Sequence, residues 1–253
     1  MTAYYNEIDP YAAQWLRNLI AAGHIAPGDV DERSIVDVQP DDLKGYTQCH
    51  FFAGIGGWSF ALRLAGWPDN RPVWTGSCPC QPFSVGSVAH GGAKGQNDKR
   101  HLWPSFSAII RKRSPAVIFG EQVADAIKWG WIDQVFRDLE DEDYACAASV
   151  LPALAVEAAH ERKRLYWVAH ANSARWEGHQ HLKRPYVSTT AAFPVYGDPI
   201  ARAWSALDGD YSGLLPCDGI SVAVERDAAK GYGNAIVPQV AAEVIGAYME
   251  IAP

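Results

Sequence analysis

The segment at 48–53, Gln-Cys-His-Phe-Phe-Ala, stops at Gly54, Gly56 and Gly57 and then opens a helical pattern from Trp58 to Gly66, and this limits the fold more than any other feature. A short apolar run closed by glycines reads as a buried strand, a tight turn and a helix. The same alternation runs along much of the chain. Residues 72–75 predict a short strand, 102–113 a helix, 116–119 a buried strand, 127–139 a helix, 165–169 a strand and 237–249 a terminal helix. Nearer the start, Tyr11, Trp15, Leu16, Leu19 and Ile20 form a helical stripe over 10–22, with Pro10 at a permitted early position. Strands alternating with helices imply an α/β fold, a mostly parallel sheet covered on both faces. With 253 residues, 48% of them apolar, the chain can bury one sizeable core and carry a small second lobe.

The rest of the composition narrows the class. No apolar run approaches the ~18 residues of a membrane span, and MTAYYNEIDP lacks the basic-then-apolar order of a secretory signal, so a soluble cytoplasmic protein without a membrane partner is expected. Five cysteines, Cys49, Cys78, Cys80, Cys146 and Cys217, form no regular framework and suit a reducing compartment. The net charge of −7 argues at first against a polyanionic partner. The charge is segregated, however. Residues 46–120 hold eight Lys and Arg against two Asp and Glu, and 161–200 hold six against three, while the remaining segments are acidic. Two basic segments on an acidic protein are compatible with a nucleic-acid face, although solvated clusters would look the same. Two stretches lack any period: 85–99, rich in Gly, Ser, Ala, Asn and Lys, predicts a surface loop, and 172–230 an irregular small lobe.

Several residues carry possible chemistry. Gly54, Gly56 and Gly57 would let backbone approach a ligand, or would serve tight packing only. Cys80 follows the strand at 72–75, at the edge where open parallel sheets bind ligands. With Cys78 it forms a C-x-C pair, and only His90 and His101 lie nearby, which is poor support for zinc or thiol-redox chemistry; no metal is expected. Glu121 follows the run AVIFG and falls on the same edge, where it could act or merely cap a helix. Arg162 and Arg164 flank the start of LYWVA, and alternation would put them on one face of a strand.

In this order FAGIGG, PCQPFS, GEQV, ERKRLYWVA and GYGNAIVPQ resemble motifs I, IV, VI, VIII and X of the cytosine-5 DNA methyltransferases. The resemblance implies a class I S-adenosylmethionine-dependent, Rossmann-like fold with a target-recognition lobe between the last two motifs. It implies Cys80 as the nucleophile at cytosine C6, Glu121 as the partner of N3, Arg164 as a holder of the base O2 and Arg162 as an orienting group. For S-adenosylmethionine it implies Phe52, Gly54, Ile55, Gly56 and Gly57 in the turn, with Pro79, Leu102, Asn234 and Ala235. Double-stranded DNA is the implied partner of a monomer. Gln81, Ser84, Lys94, Lys99 and Arg100 would meet it from a loop that closes over the DNA, and Arg175, Lys183 and Arg184 from the lobe. Two departures stand out: Gln122 where the family usually has Asn, and His160 where Gln is common. A recognisable motif IX is absent.

Between Gly57 and Pro79 there is no room for the family's motifs II and III. The N-terminal YYNEIDPYAAQWLRNLI and PGDVDERSI look like those motifs moved ahead of motif I. On that resemblance Glu7 would bind the ribose hydroxyls, Ile8 would pack on the adenine and Asp29 would take its amino group. The alternative is that residues 1–45 are an added acidic extension. The implied organisation is a catalytic domain over 1–171, a recognition region over 172–230 and a returning helix within 231–253. Two other functions stay open: a DNA-binding relative without catalysis, and an enzyme that modifies cytosine in RNA or transfers another group. The joint presence of Cys80, Glu121 and Arg164 favours the methyltransferase.

Overall fold

The 48–53 run forms the strand at the heart of the molecule in a computed structural model, which describes residues 2–79, 101–156, 158, 162–171 and 235–251. This strand is β3 (Tyr46–Phe51), the third in chain order after β1 (Thr2–Asn6) and β2 (Gly28–Asp31). β4 (Val73–Gly76), β5 (Val117–Val123), β6 (Tyr144–Leu151) and β7 (Arg164–Ala171) complete a seven-stranded sheet of order β2-β1-β3-β4-β5-β7-β6. The first five strands are parallel, and β7 runs antiparallel to β5 and β6. This is the Rossmann-like class I α/β fold that the sequence implies.

Both faces of the sheet are covered. Three helices, α1 (Pro10–Ala21), α2 (Gly57–Leu64) and α5 (Pro238–Ile251), pack on one face around Leu16, Trp58, Leu62, Phe119, Tyr166 and Ile245. The other face carries α3 (Trp103–Arg113) and α4 (Trp131–Glu140), with Phe51, Trp103, Phe106, Ile118, Trp131 and Trp167 between them and the sheet. Because alternate strand residues point to opposite faces, Ile118 and Phe119 serve different cores. Among the described residues no helix is long and apolar enough to cross a membrane.

The first 45 residues supply two strands of this sheet. β1 lies directly beside β3, with Tyr4 opposite Cys49 and Tyr5 opposite His50, and β2 lies outside β1. The connecting helix α1 starts where the Asp9 side chain accepts the N–H groups of Tyr11 and Ala12, and Pro10 occupies the first turn without wasting a donor. Buried polar bonds fasten the unit to the body: the Tyr5 hydroxyl donates to the Ala26 carbonyl at 2.6 Å and lies 2.9 Å from Ser59 Oγ in α2, which accepts the Ala26 N–H. Bonds of this kind contribute about 1 kcal/mol each and cost more when one partner is lost.

Two local expectations are corrected, and one strand is added to them. The helix expected over 127–139 is a 3₁₀ segment over 124–129 followed by α4, because Gly130 adopts φ 65° and breaks the hydrogen-bond ladder. The strand expected to stop at 119 continues to Val123, so Glu121 lies within it. The edge strand β6 carries no clear period in its Ala-rich sequence and has no counterpart among the sequence expectations.

Candidate active site at the carboxyl edge of the sheet

Five parallel strands, β1 to β5, end on one edge, and β7 begins there because it runs the other way. Val123 pairs with Arg164 and Glu121 with Tyr166, so the carboxylate and the arginine arrive at the same edge from opposite chain directions. Arg164 Nε lies 3.0 Å from Glu121 Oε1. Glu121 is only 8% exposed, and burial pushes its carboxyl above the usual range against the opposing pull of Arg164, Arg162 and a hydrogen bond with Ser77. A carboxyl group poised in this way can hold or give up a proton near a bound ring.

Arg162 reaches the site by another route than strand alternation. It precedes β7 with φ 24°, and its Nη2 donates to the Ala235 carbonyl at 2.6 Å, tying this edge to the approach of α5. The adjoining Ser77-Cys78-Pro79 segment is held from two sides. Trp58 Nε1, in α2, donates to Ser77 Oγ at 2.9 Å, and Gln122 Nε2 donates to the Cys78 carbonyl at 3.2 Å. Gln122 is buried, and its Oε1 accepts the Val123 N–H, so the longer amide fills both hydrogen-bonding roles. Sequence reasoning did not find these roles for Ser77, Trp58 and Gln122.

The glycine turn separates into parts with different work. At Gly54, φ is 55° and a side chain would point into open space with no atom within 4 Å. Gly57 differs, since a Cβ there would come 2.7 Å from Ile236 Cγ1, so its bareness lets α2 and α5 approach. At Gly56 a Cβ would press on Leu16 and Ile25. Ile55 is buried, and Phe52, at φ 53°, is partly buried and packs edge-on to Phe106. Beside the turn, Glu7 Oε2 accepts the Gly54 N–H at 2.7 Å and Oε1 accepts the Asp9 N–H at 2.9 Å. Ile8, next to it, is 63% exposed. Glu7, Ile8 and Gly54 thus form one cluster beside open space.

Asp29 does not join that cluster. It is the second residue of β2, opposite Tyr4, and its carboxylate accepts the Tyr46 hydroxyl at 2.8 Å. The carboxyl end of β2 is Asp31, bonded by the Tyr4 hydroxyl and by Arg33, which also bridges to Asp42. Burial works to raise the Asp31 carboxyl, but the Arg33 and Tyr4 hydrogen bonds prevail and hold it at about 2. Pro79 stands at the end of the segment after β4, and Leu102 caps α3 with its side chain against the core. Cys80, Gln81, Ser84, Lys94, Lys99, Arg100, His160, Arg175, Lys183, Arg184 and Asn234 lie outside the described residues.

Residues 68–196, half of the chain, match the model of the family C-5 cytosine-specific DNA methylase. The chain belongs to that family. The resemblance carried by the five motifs is therefore borne out. Among curated relatives, type II methyltransferase M.AplI of Arthrospira platensis is 29% identical over 127 residues, covering 49% of this chain and 36% of that protein. Type II methyltransferase M.HhaI of Haemophilus parahaemolyticus is 25% identical over 189 residues, covering 59% and 56%. The chain thus spans between about a third and just over half of the curated relatives it matches. A solved methyltransferase of Entamoeba histolytica superposes with a TM-score of 0.57 at 12% identity over 99% of this chain and 90% of that one, a likeness of fold.

Proposed function

We propose that this methylase-family chain is a DNA cytosine-5 methyltransferase that takes its methyl group from S-adenosylmethionine. The observation that carries the reading is the buried Glu121, paired with the partly exposed Arg164, beside the Ser77-Cys78-Pro79 segment that leads into Cys80. Cytosine C5 is a poor nucleophile until a thiolate adds at C6, and a proton shared with N3 stabilises the resulting enamine. Cys80 would make the bond to C6, Glu121 would hold the proton at N3, and Arg164 would keep the carboxyl in place and face the base O2. Arg162 would orient the edge through Ala235. Loss of the C5 proton to a base and departure of the Cys80 thiolate then restore the ring. The target atom is inaccessible inside a duplex, so the base must be flipped out at a cost of a few kcal/mol.

S-adenosylmethionine would supply the electrophilic methyl group. Its proposed holders are Glu7 for the ribose hydroxyls, the exposed face of Ile8 for the adenine, and the backbone about Gly54, with Asn234 and Ala235 completing the pocket. The open space before Gly54 and the Glu7 carboxylate held beside it fit such a group. In this reading the β1-α1-β2 unit is the displaced counterpart of the motif II–III region. Residues 1–171 and the returning α5 form the catalytic domain, and 172–230 reads the DNA. Bisulfite sequencing of DNA from cells expressing the chain tests the reading. Methylcytosine at a defined short site supports it, and unmodified DNA with methylated RNA would transfer the chemistry to another substrate.

A further inference from the structure

We propose that Gln122 is a positioning residue for the segment that leads into Cys80: its side-chain amide, inserted where the β4–β5 ladder stops, sets how far from β5 Cys78 and Pro79 run. The inference rests on the proposed roles of Cys80 and Glu121. β5 is held unequally by its two neighbours. On the β7 side its pairing runs through Val123, whereas on the β4 side it ends at Gly76 and Gly120. Had that parallel register continued, Cys78 would lie opposite Gln122, and its carbonyl would accept the Val123 N–H. The amide stands between those two groups instead. Gln122 Oε1 accepts the Val123 N–H at 2.9 Å, and Nε2 donates to the Cys78 carbonyl at 3.2 Å. Two bonds in series thus replace one direct backbone bond, so the chain carrying Cys78 is spread from β5 while both backbone groups stay satisfied.

The spacer has little freedom. Gln122 is 1% exposed, and turning its amide away would leave a buried N–H and a buried carbonyl unpaired. Two residues earlier in each strand, a ring presses on bare backbone: a Cβ on Gly76 would lie 2.4 Å from Phe106 Cε1, and one on Gly120 2.1 Å from Trp167 Cε2. The buried Trp103 stands edge-on to both rings. The strands are therefore seated together up to the glycines and held apart by a fixed amount just beyond them, where the chain turns toward Cys80. Length is what this amide contributes. Its bond to Cys78 is already at the long end of the usual N–H···O range, so an Asn side chain, shorter by one carbon–carbon bond of about 1.5 Å, would not keep both contacts.

Two readouts separate positioning from general support of the fold. Cys78 is the only cysteine followed by proline, so carbon-13 in the cysteine carbonyl and nitrogen-15 in proline single out its carbonyl by NMR. Loss of the donor should move that resonance in Gln122→Met and in Gln122→Asn. The second readout is single-turnover methyl transfer to unmethylated plasmid DNA, where the rate should fall about tenfold or more in both variants with affinity for S-adenosylhomocysteine unchanged. A carbonyl resonance in Gln122→Met that stays with the parent, a transfer rate that is unchanged although Tm falls, or a Gln122→Asn that matches the parent in both readouts overturns the proposal. If Gln122→Met does not fold, Gln122→Asn, which keeps an amide at the buried position, decides by the same two readouts. A parent that transfers no methyl group to DNA would sink the proposed function, and the carbonyl resonance would still decide whether the amide holds Cys78.

Discussion

Glu7, at the end of β1, bonds through Oε2 to the Gly54 N–H at 2.7 Å across 47 positions of sequence. The contact joins the first strand of the chain to the turn after its third, because β1 and β3 are parallel neighbours whose carboxyl ends lie together. Through it an acidic side chain and an open glycine face the same space, next to an exposed Ile8.

If Glu7 also accepts the ribose hydroxyls, Glu7→Ala removes charge-assisted bonds each contributing roughly 1.5–3 kcal/mol, so affinity for S-adenosylhomocysteine should fall by about tenfold or more. Calorimetric titration of folded protein measures this. Asp9→Ala is the control, since it removes the α1 cap and should cost about 1 kcal/mol of stability while binding as tightly as the parent. Equal affinities in Glu7→Ala and the parent would leave the N-terminal unit with a structural role only.

The glycines of the turn should separate by effect. Gly57→Ala drives a methyl into Ile236 and should lower stability by roughly 1–3 kcal/mol, seen as a lower Tm, with little change in cofactor affinity for whatever protein stays folded. Gly54→Ala meets no protein atom but keeps a left-handed backbone, costing about 1–2 kcal/mol of strain, and points its methyl into the proposed cofactor space. Its affinity loss should therefore exceed that of Gly57→Ala. The reverse ranking would mean that the open space is not the binding space.

His50 gives the fold a pH dependence of defined sign. Its ring is buried against Tyr5, Nδ1 lies 2.9 Å from Thr75 Oγ1, and Nε2 has no hydrogen-bond partner among the described residues. Burial holds its pKa at about 3 against an ordinary 6.5. Between those values the unfolded chain binds a proton that the folded protein does not, so stability falls as pH drops from 6.5 through about 3. In His50→Gln, Tm should fall less steeply over that window than in the parent. Parallel slopes would show that His50 is not a source of acid sensitivity.

The parallel core was legible because strands buried on both faces read as short apolar runs closed by turn residues, as in 48–53 and 116–119. β6 was not, since an Ala-rich edge strand offers neither alternation nor a continuous apolar run. The helical period crossed Gly130 unbroken in sequence, while the backbone did not. Within the site, Glu121 and Arg164 were legible as motif residues, yet their pairing follows from the antiparallel register of β7, which no local pattern carries. Asp29 was placed by its neighbourhood in the sequence, but the register of β2 with β1 sets it two residues short of the edge. The Trp58–Ser77 bond joins α2 to the loop after β4, so it has no signature in any one segment.

The central claim is covalent catalysis by Cys80, and the most direct measurement is mass spectrometry of the protein after incubation with S-adenosylmethionine and duplex DNA containing 5-fluorocytosine at the methylated site. Fluorine at C5 blocks the elimination step, so the account predicts a stable protein–DNA adduct at Cys80 in the parent and in Cys78→Ser, and none in Cys80→Ser. Cys80→Ser should still bind S-adenosylhomocysteine within a few fold of the parent. An adduct that persists in Cys80→Ser, or that disappears in folded Cys78→Ser, would contradict the assignment of the nucleophile.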